Sequence, residues 1–141
     1  MQSRPEFLHD GRVAHVRVEG ALVTLRDDLE AVRASSDASV IVLDLRAATG
    51  PAAALDWLER FELPVVCAFE SPLRDAAAGL ALACDIRICG EHASITPPPT
   101  AHARLRRLLR DPDALDRAVR GETFTAVEAL SCGMVSKVTA A

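Results

Sequence analysis

The chain has no C-x-x-C pair and no Cys/His grouping at zinc spacing; its four cysteines, Cys67, Cys84, Cys89 and Cys132, stand apart. That spacing excludes a zinc-ribbon site or a thioredoxin-type redox pair. Three of the four lie in apolar runs (Pro64 to Phe69 and Leu80 to Cys89) and read as small buried hydrophobes of a reducing compartment. No apolar run approaches the roughly 18 residues of a membrane span, and Met1 to Arg12 holds no apolar stretch of the signal-peptide kind. The expectation is a cytoplasmic chain with no membrane contact. Lysine is almost missing: Lys137 is the single one, and every other cationic residue is arginine. An excess of positive charge is missing too, since 16 Lys and Arg face 20 Asp and Glu for a net charge of −4. Phosphate-rich partners select a basic face, so neither a nucleic-acid binder nor a membrane-surface binder is expected.

What is present suits a folded core. Hydrophobic residues make up 50% and charged residues 26% of the 141, which is ordinary for a globular protein and too apolar for a disordered one. A chain of this length buries roughly two thirds of its unfolded surface, so it needs neither disulfide nor structural metal. No repeat, low-complexity tract or linker interrupts it, and residues 1–141 read as one domain.

Along the chain, Val13 to Val18 alternates and predicts a strand, with Glu19-Gly20 as its turn. Leu22, Leu25, Leu29 and Val32 recur at three- and four-residue steps and predict an amphipathic helix closed by Ala34 to Asp37. Val40 to Leu45 is a continuous β-branched run of the kind buried on both faces of a parallel sheet, followed by a loop at Thr49-Gly50-Pro51. A helical stripe at Leu55, Leu58 and Phe61 stops at Pro64, and Val65 to Phe69 is the next strand. Asp75 stands where an N-cap belongs, ahead of a helix reaching to about Cys84. Ile86 to Cys89 and Ala93 to Ile95 read as short strands before the triple proline Pro97 to Pro99. Leu105, Leu108 and Leu109 mark an arginine-studded helix that Leu115, Ala118 and Val119 extend past Pro112. Thr125 with Glu128 forms a capping box for a last helix, which Cys132-Gly133 ends, and Met134 to Val138 is a terminal strand. Helices regularly following strands give an α/β fold with a largely parallel sheet.

Two segments carry a resemblance. Leu63 to Phe69 continued by Ala76-Ala-Ala-Gly-Leu-Ala-Leu-Ala-Cys-Asp-Ile-Arg-Ile-Cys-Gly-Glu-His-Ala-Ser-Ile95 resembles the signature of the crotonase family, the enoyl-CoA hydratase/isomerase superfamily, without a gap from Pro64 to Pro98. Gly121 to Val135 is similar to the family's T-G-x-x-I-x-A-x-E-A-x-x-x-G-L-V stretch, with Glu128-Ala129 at the matching place. The resemblance implies a crotonase-like α/β fold, a spiral of ββα turns, here shortened and lacking the helices that usually follow the last strand. It also implies acyl-CoA as ligand class, a backbone oxyanion hole, homo- or hetero-oligomers with another crotonase-like or thioester enzyme, and no cofactor or metal.

The family's site residues are incompletely matched. The glycine turn that supplies one oxyanion donor becomes Asp75-Ala76-Ala77, so that Ala76 offers the N–H while the Asp75 carboxylate sits beside it. The loop bearing the other donor is reduced to Ala48 to Ala52, which leaves Ala48 as its counterpart. The two positions where hydratases carry their glutamates hold Gly79 and Pro99, and neither can transfer a proton. Formal candidates for a substitute acid are Asp75 and Glu70, with Asp85 at a position that reads as structural. Arg104, Arg106, Arg107 and Arg110, near His102, form a basic cluster read either as a solvated helix face or as a contact for a CoA phosphate or an acidic partner. His9, His15 and His92 lack an acid or nucleophile at motif spacing, and Ser71 lacks a G-x-S-x-G turn. Two functions remain open at this point: a degenerate, non-catalytic accessory or scaffold partner of acyl-CoA/thioester metabolism, or an active hydratase or isomerase using a non-standard acid.

Overall fold

The computed structural model describes residues 7–10 (as backbone), 12–49 and 55–140. The remainder of the expected loop at Gly50 to Ala52, the first six residues and the His9 side chain lie outside them. Strand β1 (Phe7–Asp10) pairs antiparallel with β2 (Val13–Val18), Asp10 facing Val13. The parallel strands β3 (Val40–Leu45), β4 (Val65–Phe69), β5 (Ile86–Gly90) and, far along the chain, β8 (Lys137–Thr139) complete a six-stranded sheet in the order β1-β2-β3-β4-β5-β8. Between β5 and β8 come β6 (Ser94–Ile95) and β7 (Phe124–Thr125), which pair with each other as a second, small sheet.

Helices follow the strands as the apolar periodicity requires. α1 (Leu25–Ser35) lies after β2, α2 (Asp56–Glu59) after β3, and α3 (Asp75–Ala83) after β4. α4 (His102–Leu108) and α5 (Pro112–Val119) follow β6, and α6 (Ala126–Ser131) follows β7. Before each of the first helices the chain makes one more short extended contact. Ala21 bridges Thr49 and Leu73 bridges Ile95, so each turn of the chain is strand, second short strand, helix. This is the expected ββα spiral.

The core lies on one face of the sheet. Ala14, Val16 and Val18, Ile41, Leu43 and Leu45, and Val65, Cys67 and Phe69 are buried and alternate with half-buried or exposed neighbours. α1 contributes Leu25, Leu29 and Val32 to the same cluster, and α3 is buried from Ala76 to Ala83. The alternation corrects the expectation for Val40 to Leu45: Val40, Val42 and Asp44 are only half-buried, because no helix among the described residues covers that face to the depth of the other.

Several boundaries also differ. β1 was not expected, although Asp10-Gly11 before an alternating strand is a hairpin signal. The long fourth helix is two helices, because Pro112 has no N–H to continue one and instead opens the next, with Asp111 Oδ1 accepting the Asp113 N–H at 3.0 Å. The last strand starts at Lys137 rather than Met134; Met134 and Val135 are buried in the turn before it. The capping box is as expected: Thr125 Oγ1 accepts the Glu128 N–H at 3.2 Å and Glu128 Oε1 accepts the Thr125 N–H at 3.1 Å. Gly133 then supplies φ 85 after α6.

One buried charge joins these parts. Arg87, on the core side of β5, is 4% exposed. Its Nε donates to Met134 O at 2.7 Å and its Nη1 to Ala81 O at 3.2 Å and Cys84 O at 2.6 Å. Two of these carbonyls belong to the end of α3, where helix carbonyls lack intrahelical partners and a cation is favoured. Arg87→Met, close in apolar volume, removes the donors to Met134 O and Cys84 O and leaves Ala81 O only the Cys84 N–H; urea denaturation should show a loss of about 3 kcal/mol or more. Thr125→Ala should lose about 1 kcal/mol by the same measurement. The Glu128 carboxyl is held below its usual range, first by the Thr125 N–H and then by Arg117. Its contribution is therefore present at neutral pH and lost as pH falls through the lowered folded value. Glu128→Gln should be less stable than the parent at pH 7 and approach it at pH 3.

Candidate functional site

In open parallel sheets, ligands bind outside the carboxyl ends of the strands. Here β3, β4 and β5 end side by side at Leu45, Phe69 and Gly90. A cleft of about 210 Å³ opens at that edge, and its lining includes Asp44, Arg46, Ala68, Glu70, Ser71 and Gly90, with Thr139 of β8 at its side. Asp44 and Arg46, two residues apart on an extended strand and its exit, point the same way and form an ion pair through Asp44 Oδ2 at 3.2 Å. That hydrogen bond raises the Arg46 pKa, and the more distant charges of Glu70 and Glu19 act in the same direction. Glu70 is exposed and runs along Gly90, where a Cβ would meet its Cγ at 3.5 Å. Cys89 lines the cleft as well, but burial pushes its thiol pKa up, which keeps it protonated and a poor nucleophile.

Two backbone donors stand near the same edge. Ala47 N–H bonds to Val18 O at 3.3 Å and Thr49 N–H to Gly20 O at 2.8 Å, whereas Ala48 N–H between them has no acceptor among the described residues. Ala76 follows β4 and lies in the first turn of α3; Ala78 N–H makes the first recorded bond there, to Arg74 O at 3.3 Å. Ala76 N–H also has no acceptor among the described residues. β3 and β4 are neighbours, so both donors leave the sheet at adjacent carboxyl ends.

Asp75 is not the N-cap. Arg74 occupies that place, with φ −148 and no side-chain cap, and Asp75 is the first helical residue with φ 51. Among the described residues it is the one non-glycine with a positive φ. The left-handed conformation is one that Asp tolerates better than most residues. Its exposed carboxylate sits at the helix N-terminus, where the first-turn N–H groups favour negative charge. From there to Ala83 the helix bears no ionisable side chain, and Gly79 is buried within it. Pro99 is exposed and opens a 3-10 turn, Pro99–Ala101.

The remaining candidates are elsewhere. Asp85 lies past the other end of α3, where its Oδ2 accepts the Val65 N–H at 2.8 Å and its own N–H bonds to Val65 O at 2.9 Å. That reciprocal pairing starts β4 and is structural. The arginine cluster divides: Arg104 is paired with Asp56 at 2.8 Å and Glu59 at 2.7 Å, and Arg107 with Glu59 at 3.1 Å, tying α4 to α2. Arg106 and Arg110 are exposed and unpaired among the described residues. His15 and His92 are exposed, His92 with Glu91 at 3.4 Å. Among the described residues, no three His, Cys, Asp or Glu side chains group as a metal site. Sequence reasoning missed Asp44 and Arg46; the signal was one carboxylate interrupting an otherwise apolar strand.

No family model matches the chain. It is 32% identical over 89 residues to the probable enoyl-CoA hydratase 2, mitochondrial, of Arabidopsis thaliana, a match spanning 57% of this chain and 30% of that protein. It is 37% identical over 94 residues to the peroxisomal bifunctional enzyme of Danio rerio, spanning 60% of this chain and 13% of that one. The structure superposes on an enoyl-CoA hydratase from Mycobacterium avium with TM-score 0.82 and 21% identity, covering 100% of this chain and 72% of the other. The fold is that of the crotonase family. The crotonase spiral accounts for the adjacent carboxyl ends at which Ala48 and Ala76 sit, and the sequence likeness is to its enoyl-CoA hydratase branch. Asp75, the left-handed residue at the start of α3, is the position that the sequence resemblance sets against a glycine. Asp75→Gly should accordingly leave stability nearly unchanged, whereas Asp75→Val should lower it by about 1–2 kcal/mol in thermal or urea unfolding. A valine variant as stable as the parent would refute the conformational assignment.

Proposed function

We propose that this crotonase-fold chain has lost hydratase chemistry and serves as a non-catalytic accessory or scaffold partner in cytoplasmic acyl-CoA or other thioester metabolism. One observation carries the reading: α3 has no ionisable residue beyond Asp75 and a buried Gly79, which the sequence resemblance sets at a hydratase glutamate position. The second glutamate position, by the same resemblance, is Pro99. Each general acid or base is worth typically 10²–10⁴-fold in rate, so a site missing both is left with at most its backbone donors. The absence of an ionisable pair does not remove ligand binding: the N–H groups of Ala48 and Ala76 remain open to a thioester carbonyl. As an accessory subunit the chain would assemble with itself or with an active crotonase-like or thioester enzyme. No helix among the described residues is long and apolar enough to cross a membrane.

A second reading rests on Glu70, which the fold brings into the cleft beside Asp44 and Arg46. In that reading the chain is an active hydratase or isomerase with Glu70 or Asp75 as its acid. A panel of enoyl-CoA thioesters separates the two. The accessory reading expects no turnover above the uncatalysed rate, with co-sedimentation alongside an active partner or self-association. Turnover that disappears in Glu70→Gln or Asp75→Asn would overturn it, as would a strictly monomeric chain that joins no candidate enzyme. Calorimetric titration with CoA and a short acyl-CoA checks ligand binding independently: binding of neither ends the enzyme reading.

A further inference from the structure

The opposite end of α3 carries a second feature that the function above does not use. α3 starts at the carboxyl edge of the sheet and ends beside Asp85, which pairs with the first residue of β4; its nine residues place the two ends about 13 Å apart. At the far end a pocket of about 260 Å³ is lined by Arg87, Arg104 and Arg107, together with Glu59 and Asp85. Three guanidinium groups thus meet two carboxylates.

The buried member is the informative one. Arg87 is 4% exposed and forms no ion pair among the described residues; its partners are the three carbonyls. Burial lowers its pKa, which records the cost of holding an incompletely neutralised cation there. Nε and Nη1 are used, while Nη2 has no acceptor among the described residues. No fully buried side-chain nitrogen among the described residues lacks a partner, so Nη2 retains an opening, and Arg87 lines the pocket. Arg104 is fixed beside it: its side chain is 12% exposed, with Nε on Glu59 and Nη2 on Asp56, leaving Nη1 uncommitted. Arg107 contributes from the rim, where it is 66% exposed and holds Glu59 by Nη2 alone.

We propose that this pocket binds a phosphate-class oxyanion, either inorganic phosphate or the phosphoryl group of a small phosphate monoester. The tetrahedral dianion offers several acceptor oxygens to donors arriving from three side chains, an arrangement that guanidinium forks match better than a single ammonium would. It also supplies the counter-charge that Arg87 lacks. Glu59 and Asp85, with Asp56 held on Arg104, balance the three arginines in formal charge, so affinity rests on placed donors rather than on a strong field, and competing chloride is a weak substitute. The site lies at the amino edge of the sheet and does not depend on whether the carboxyl edge is catalytic.

The test titrates the intact chain with potassium phosphate, and in parallel with glycerol phosphate, at constant ionic strength maintained with potassium chloride. Thermal midpoint and the arginine Nε–Hε resonances are followed. A saturable rise in midpoint with movement of the Arg87 and Arg104 resonances is expected, weakened at least about tenfold in Arg107→Glu and unchanged in Arg106→Ala. Tighter binding of the ester identifies an organic phosphate as the source, and equal binding identifies inorganic phosphate. Arg107→Glu is used because Arg87 variants are themselves expected to lose stability, which would confound the thermal midpoint. A response that does not saturate, or one equal in the parent and Arg107→Glu, overturns the proposal.

Discussion

A single cation placed inside the protein, Arg87, sets the relation between its parts. The side chain leaves β5, takes the carbonyls of Ala81 and Cys84 at the end of α3, and takes Met134 O in the turn that leads to β8. A buried charge is tolerated only where its hydrogen-bonding capacity is met, and here the helix terminus provides the Cys84 carbonyl and a second acceptor site on Ala81 O, which also takes the Cys84 N–H. The result is geometric as well as energetic. Fixing the C-terminal end of a straight nine-residue helix fixes the direction in which its first turn points, and that first turn carries Ala76 and Asp75. Ser136 N–H on Arg87 O at 2.8 Å makes the same strand the template for β8.

The sheet's two faces then divide the labour. The face with Ile41, Leu43, Val65 and Cys67 is closed by α1 and α3 into the core. The other face stays half-open, which is why Asp44 can sit in the middle strand of a parallel sheet and pair with Arg46 at the mouth of the cleft. Cys67 and Cys84, buried in the core, illustrate the opposite environment. The Cys84 thiol pKa is raised, first by its interaction with Cys67 and then by burial, so these cysteines act as packing groups rather than reagents. The carboxyl edge, by contrast, presents the Ala48 and Ala76 N–H groups and the Asp44, Arg46 and Glu70 side chains.

Much of the fold was legible because its signals are local. Strands β2 and β3 coincide with the alternating and β-branched runs, and the capping box at Thr125 and Glu128 is present in both its bonds. Pro112 was misjudged because a proline can either break a helix or open one, and the Asp111 cap decides between them. Asp75 was misplaced by one residue because capping preferences do not reveal a positive φ. Ala48, Ala76, Gly79 and Pro99 were singled out by the family resemblance rather than by any local pattern. Asp44, Arg46 and Arg87 were not, since each is merely one charge within an apolar run until its neighbours are known.

By itself the sequence determined the alternation of strand and helix and an α3 with no acid after Asp75, because each depends on residue type and spacing within a few positions, while the ββα spiral was implied only by the family resemblance. Tertiary structure alone decided which charges meet. Arg104 is 45 residues from Glu59 and Arg87 is 47 from Met134, separations across which no periodicity operates. It also decided that Glu70 reaches the cleft while Asp85 serves the start of β4. Strand order brings residues together at one edge or the other of the sheet, and that order is fixed by the packing of the whole core.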